Sequence, residues 1–146
     1  MTPLSEELYR RCDSIEEAYE FMLAYAGQGL PRDEGSASGA QIRDYLRRLN
    51  AALVGLAELF GRAAAEKQLP SAETTAAFLR VLDRDAEDSR AAVQLTLAQS
   101  SIGSQLVDNL NASIHLRALL TDLFLLDEIL KAHDASRSAQ HTGLPR

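Results

Sequence analysis

Between residues 116 and 131 the chain reads LRALLTDLFLLDEILK, and this stretch constrains the fold more than any other. At 100° per residue its apolar side chains do not spread evenly around a helix. Leu116, Leu119, Leu120, Leu123, Leu126 and Leu130 form one broad stripe. Ala118, Leu125 and Ile129 form a second stripe on a different side, which extends backward through Ile114 to Val107. Arg117, Thr121 and Glu128 lie between the two on one edge. A helix with two apolar faces buries both or leaves one as an exposed patch. Leaving five of the larger side chains in water forgoes roughly 1.5 to 3 kcal/mol each, which rivals the whole stability of an ordinary domain. The first face suits a helical bundle. The second calls for the N-terminal segment, a second copy of the chain, or another partner, and Val107, Ile114, Ala118, Leu125 and Ile129 are its expected interface residues.

The rest of the chain has the same helical spacing. Leu4, Leu8, Cys12, Ile15, Tyr19 and Met22 follow steps of three and four and mark an inward stripe. Ser14 and Glu17 stand in the capping-box relation, so a restart or a bend is expected there, and Phe21 and Tyr25 lie off the stripe. Residues 27–40, GQGLPRDEGSASGA, read as a flexible internal linker, longer than the usual loop of about 4 to 6 residues. From Ser38, paired with Gln41 as a second capping box, one long helix is expected to run to about Lys67, with Ile42, Leu49, Leu56 and Ala63 repeating every seven residues. QLPS breaks it, and a connection this short favours an antiparallel hairpin. A third helix, about Ala72 to Gln99, turns Thr75, Phe78, Leu79, Leu82, Ala86, Ser89 and Val93 inward. A break near SSIGS, residues 100–104, lets a fourth run from Ile102 to about Ala132, whereas continuous helix through Gly103, at about 1 kcal/mol relative to alanine, would force a long rod and a swapped partner; the polar tail 133–146 is expected to be disordered. The fold expected is therefore all-α: an up-and-down helical bundle of three long helices plus an N-terminal helical segment, in one domain spanning residues 1–132.

Charge and composition remove several function classes. With 15 basic against 21 acidic residues the net charge is −6, which repels polyanions, and four tyrosines with no tryptophan offer little for stacking on bases. Nucleic acid is not an expected partner. Nor is a membrane, because Asp122 and Asp127 would meet lipid and few cations accompany them. The N-terminus has no apolar run of signal-peptide type, and the single cysteine precludes an internal disulfide, so a cytoplasmic location is expected. No glycine-rich phosphate loop, nucleophile elbow or paired Glu-x-x-His motif occurs.

One polar line could carry chemistry. Ser104, Asp108, Asn111, His115 and Asp122 project within roughly 60° of one another on a continuous helix. A histidine within a turn or two of a carboxylate can act as a base or a metal ligand, so Asp108, Asn111, His115 and Asp122 are candidate ligand-binding residues. The competing reading is a line of hydrogen bonds that fixes helix register. Elsewhere, DRDAEDSR (83–90) reads as a salt-bridged surface, Arg43, Arg47 and Arg48 as a small basic cluster, and Cys12 as a core thiol. No cofactor, catalytic residue or metal ligand is expected. The reading favoured is a non-enzymatic accessory or adaptor protein, a homodimer acting through helix–helix contacts. The alternative is a bundle with a small-molecule or metal site around His115, Asp108 and Asn111.

Overall fold

A computed structural model describes residues 2–141, with side chains as far as 139. Among these residues the chain is all-helical: α1 (Pro3–Ala26), α2 (Ala37–Leu53), α3 (Leu56–Lys67), α4 (Ala72–Leu97), α5 (Ser104–Ala112) and α6 (Ile114–His141). α1 packs on α2, α3 and α5, while α4 packs on α2, α3 and α6. A single apolar core runs between them, from Leu8, Ile15, Met22 and Tyr25 through Ile42, Leu46, Leu49 and Leu53 to Leu82, Val93, Leu116 and Leu119.

Thr2 starts α1, its hydroxyl accepting from the Ser5 N–H, with Pro3 in the first turn where a missing N–H costs nothing. The helix then runs without the restart expected at Ser14 and Glu17. Ile15, Ala18 and Met22 continue the buried stripe across that point, and the packing outweighs the local capping option. Phe21, off the stripe, stacks on Tyr45 of α2 with ring centroids 4.3 Å apart.

The helix expected over 38–67 is two helices. Ser36, not Ser38, is the cap, accepting from Gly39 N–H at 2.9 Å. At the far end Val54 is extended and Gly55 takes φ 66°, which ends α2 and begins α3. Leu49 and Leu56 both stay in the core across this joint, so the seven-residue spacing survives the break that it concealed. Arg11 of α1 donates to the carbonyls of Ala52 (3.3 Å) and Val54 (2.5 Å), partnering oxygens at the end of α2.

The fourth expected helix also divides. SSIGS does interrupt it, but a second break falls at Ser113, which is extended and caps α6 by accepting from Leu116 N–H. Ser89 of α4 donates to the His115 carbonyl at 3.0 Å, fixing the start of α6 against α4. At its other end α6 continues as helix through His141, beyond the boundary expected at 132. There His133 and Arg137 contact the carbonyl of Lys67 at the end of α3, and Lys67 pairs with Asp134 at 2.9 Å. Side-chain N–H groups at a helix C-terminus satisfy its last carbonyls, and the Arg137 charge also complements its dipole. Residues 142–146 of the expected tail lie outside the described residues.

Candidate functional site

Segment 27–36 is held by hydrogen bonds at both its ends and its middle. Ser104 and Leu30 exchange two of them, Ser104 N–H to Leu30 O at 2.8 Å and Leu30 N–H to Ser104 Oγ at 2.9 Å. The Ser104 hydroxyl donates in turn to Tyr25 O at 2.6 Å, and the Tyr25 hydroxyl to Ile102 O at 2.6 Å. Asp33, buried, accepts from Ile102 N–H at 2.7 Å and from Arg43 Nε at 2.8 Å. Arg43 reaches onward to the carbonyls of Leu97, Gln99 and Ser100. Burial works against the charge of Asp33, but the Ile102 N–H and the Arg43 guanidinium outweigh it and hold its carboxyl below the usual range. These contacts form a latch joining α1, α2, α4 and α5. Asp33 and Arg43 were not legible as a pair: Arg43 reads from sequence as one of a basic cluster. That cluster is dispersed here, since Arg48 pairs with Asp44 at 2.6 Å and lies over the Tyr45 ring.

The expected polar line does not come together. The break at Ser113 separates Asp108 and Asn111 from His115 and Asp122. Asp108 and His115 are exposed, and Asn111 is buried with its amide donating to Met22 O at 3.2 Å. Asp122 is buried and meets Asp85 of α4. Its Oδ2 has no hydrogen-bond partner, and its carboxyl is pushed up to about 7, by burial first and by Asp85 second. Among the described residues no group of three or more His, Cys, Asp or Glu side chains could hold a metal ion.

The second apolar stripe divides differently. Val107 is wholly buried in the chain's own core, so it is removed from the expected interface. Its place on α5 explains this, because α5 packs mainly on α1 whereas α6 packs mainly on α4. The remainder lies outward on α6: Ile114 is 76% exposed, Leu125 49% and Ile129 47%, with Ala118 half-buried between them. The leucine stripe, by contrast, is inward, with Leu116, Leu119, Leu120, Leu123 and Leu126 buried. The exposure of Ile114, Leu125 and Ile129 shows that the N-terminal segment does not cover the outward flank. Phe124, 63% exposed, lies about 100° around α6 from Leu125, on the edge that carries Arg117.

Two concavities adjoin α6. A cleft of about 700 Å³ opens between the N-terminal half of α1, the end of α3 and the C-terminal half of α6, walled by Leu8, Tyr9, Cys12, Phe60 and Leu130. Lys67 and Lys131 stand at this cleft, each paired with an aspartate, Asp134 and Asp127. The Cys12 thiol is pushed up to about 11 by burial, reinforced by Asp127 and Glu16, so it stays protonated and unreactive at neutral pH. The second, of about 140 Å³, lies beside the outward flank and is lined by Phe60, Leu69, Phe78, Leu79, Leu125 and Ile129.

Compared with protein-family models, with curated proteins and with solved structures, the chain matches none. Among the described residues no helix is long and apolar enough to cross a membrane.

Proposed function

We propose that the protein is a non-enzymatic accessory or adaptor protein of the cytoplasm, acting as a homodimer through helix–helix contacts on the outward flank of α6, without a cofactor and without nucleic acid or membrane as a partner. The observation that carries this reading is the run of Ile114, Leu125 and Ile129 on a helix whose opposite side already fills the core. Isolated apolar side chains on a surface are ordinary; a stripe at helical spacing is the form of a protein-contact surface. The frame for it is an up-and-down bundle in which α1, the α2–α3 unit, α4 and the α5–α6 unit alternate in direction. The short α3–α4 joint and the contacts of α4 with α6 support that arrangement.

The test is the association state of the full chain by sedimentation, with Leu125→Asp and Ile129→Asp combined. A dimer that becomes a folded monomer supports the reading. A wild-type chain that is monomeric at every concentration and gains no partner in the presence of the proteins of its native cell counts against it.

A second reading follows from the cleft between α1 and α6, whose walls suit an apolar small molecule. It replaces the site expected around His115, Asp108 and Asn111, where two side chains face water and the third is engaged with Met22. Native mass spectrometry of the purified chain, with Leu8→Trp to fill the cleft, distinguishes a retained ligand from none.

A further inference from the structure

The two ends of the α6 flank have opposite shapes. At one end Ile114 projects, three-quarters exposed. At the other, Leu125 and Ile129 wall the apolar hollow of about 140 Å³ that Phe78 and Leu79 of α4 and Phe60 and Leu69 close from the far side. Ile114 and Ile129 are about 22 Å apart along the helix at 1.5 Å per residue. Between them the flank is small, with Ala118 and Thr121. Along one edge lie Arg117 and Glu128, both exposed and neither in an ion pair within the chain among the described residues.

The spacing of these features is symmetric. Residues 114 and 129 are centred between 121 and 122, and residues 117 and 128 between 122 and 123. A two-fold axis across the helix near residue 122, within one residue of both centres, reverses its direction and keeps each edge on its own side. Under that rotation a projection falls on a hollow and a cation falls on an anion. We propose that a second copy of this chain packs antiparallel on the outward flank of α6, with Ile114 of each copy in the hollow of the other and Arg117 of each beside Glu128 of the other. The small residues at the centre let the two helices approach closely. The inference rests on the association reading above and specifies its partner and register. A different protein would need the same projection, hollow and charges at the same spacing; a second copy carries them by construction.

Charge exchange tests the register. Arg117→Glu alone and Glu128→Arg alone each set like charges opposite one another twice per dimer, and each is expected to weaken dimerisation about tenfold or more at low salt. An equimolar mixture of the two variants restores opposite charges at both contacts and is expected to recover the wild-type affinity, as is the double variant. Cysteine crosslinking tests the direction. In a Cys12→Ser background, Thr121→Cys lies near the axis and is expected to form an intermolecular disulfide, while Ile114→Cys is not. A parallel pair would crosslink at both positions and overturn the proposal. A dimer that Leu125→Asp breaks but neither charge variant weakens also overturns this register, and leaves association through the flank standing. A wild-type monomer at all concentrations overturns the self-pairing outright.

Discussion

Asp122 of α6, buried, meets the half-buried Asp85 of α4 at the contact between the two helices, so that two carboxylates face each other there. Burial and the neighbouring carboxylate both favour the protonated form, and the Asp122 carboxyl stands at about 7 against an ordinary 3.8. The favourable neutral form is thus complete below about pH 4 and is lost as pH rises through 7. The chain is expected to lose stability between about pH 4 and 7, by about 1–3 kcal/mol, and to level off above that. Asp122→Asn should flatten that slope and raise stability at pH 8, since an amide can donate to Asp85 without adding a charge. Urea unfolding at several pH values measures both effects; a wild-type profile that is level from about pH 4 to 7 removes the carboxyl pair from the account.

Asp33 gives the opposite slope. Its carboxyl is held below the ordinary range against the cost of burial, so the stability it contributes is present above about pH 4 and declines as pH falls through its lowered value. Removing Arg43 leaves the buried carboxylate with the Ile102 N–H and no opposite charge. Arg43→Met is expected to cost about 3–5 kcal/mol, whereas replacing Asp33 and Arg43 together should cost less than the sum of the single changes. A double-mutant cycle on unfolding free energies reads the coupling.

The latch also fixes two glycines by sheer closeness. A Cβ on Gly39 would stand 1.7 Å from the Asp33 carbonyl oxygen, and one on Gly103 2.7 Å from that of Pro31. Gly39→Ala should therefore destabilise by about 2–4 kcal/mol although it adds a single methyl group. Gly55→Ala, strained by φ 66° but with open space around the added carbon, should cost only about 1 kcal/mol. Thermal unfolding of the two variants side by side checks the order.

At the other end of the molecule, His133 and Arg137 bind the same Lys67 carbonyl. Changing both to alanine should lower stability by about 1–2 kcal/mol and expose the last turns of α6 to faster amide exchange. Equal exchange in the wild type and the variant would mean that these contacts do not hold the helix end.

Spacing alone carried the helical class, the inward leucine stripe of α6 and the buried face of α4, because those depend only on the 3.6-residue repeat. The breaks at Gly55 and Ser113 were hidden for one shared reason. A single non-helical residue can redirect a chain while leaving apolar residues inward on both sides, as Leu49 and Leu56 do. The Asp33–Arg43 latch was illegible for another: Arg43 also reaches carbonyls more than fifty residues away, and no local pattern announces such a contact. The polar line failed at Ser113, since Asp108 and His115 share a face only if the helix is continuous. The outward flank of α6 was visible in advance except at Val107, which belongs to a different helix.

The α1–α2 and α3–α4 connections differ in what they would tolerate. The α1–α2 connection is threaded between Gly39 and Gly103 with no room for a methyl group. The α3–α4 connection lies largely at the surface, with Gln68, Pro70 and Ser71 exposed and Gln68 and Ser71 in left-handed conformations, and only Leu69 half-buried. A fluorescent reporter or a foreign domain grafted at residues 68–71 would therefore ride on an otherwise native particle, whereas the same graft at 28–35 would pull apart four helices at once.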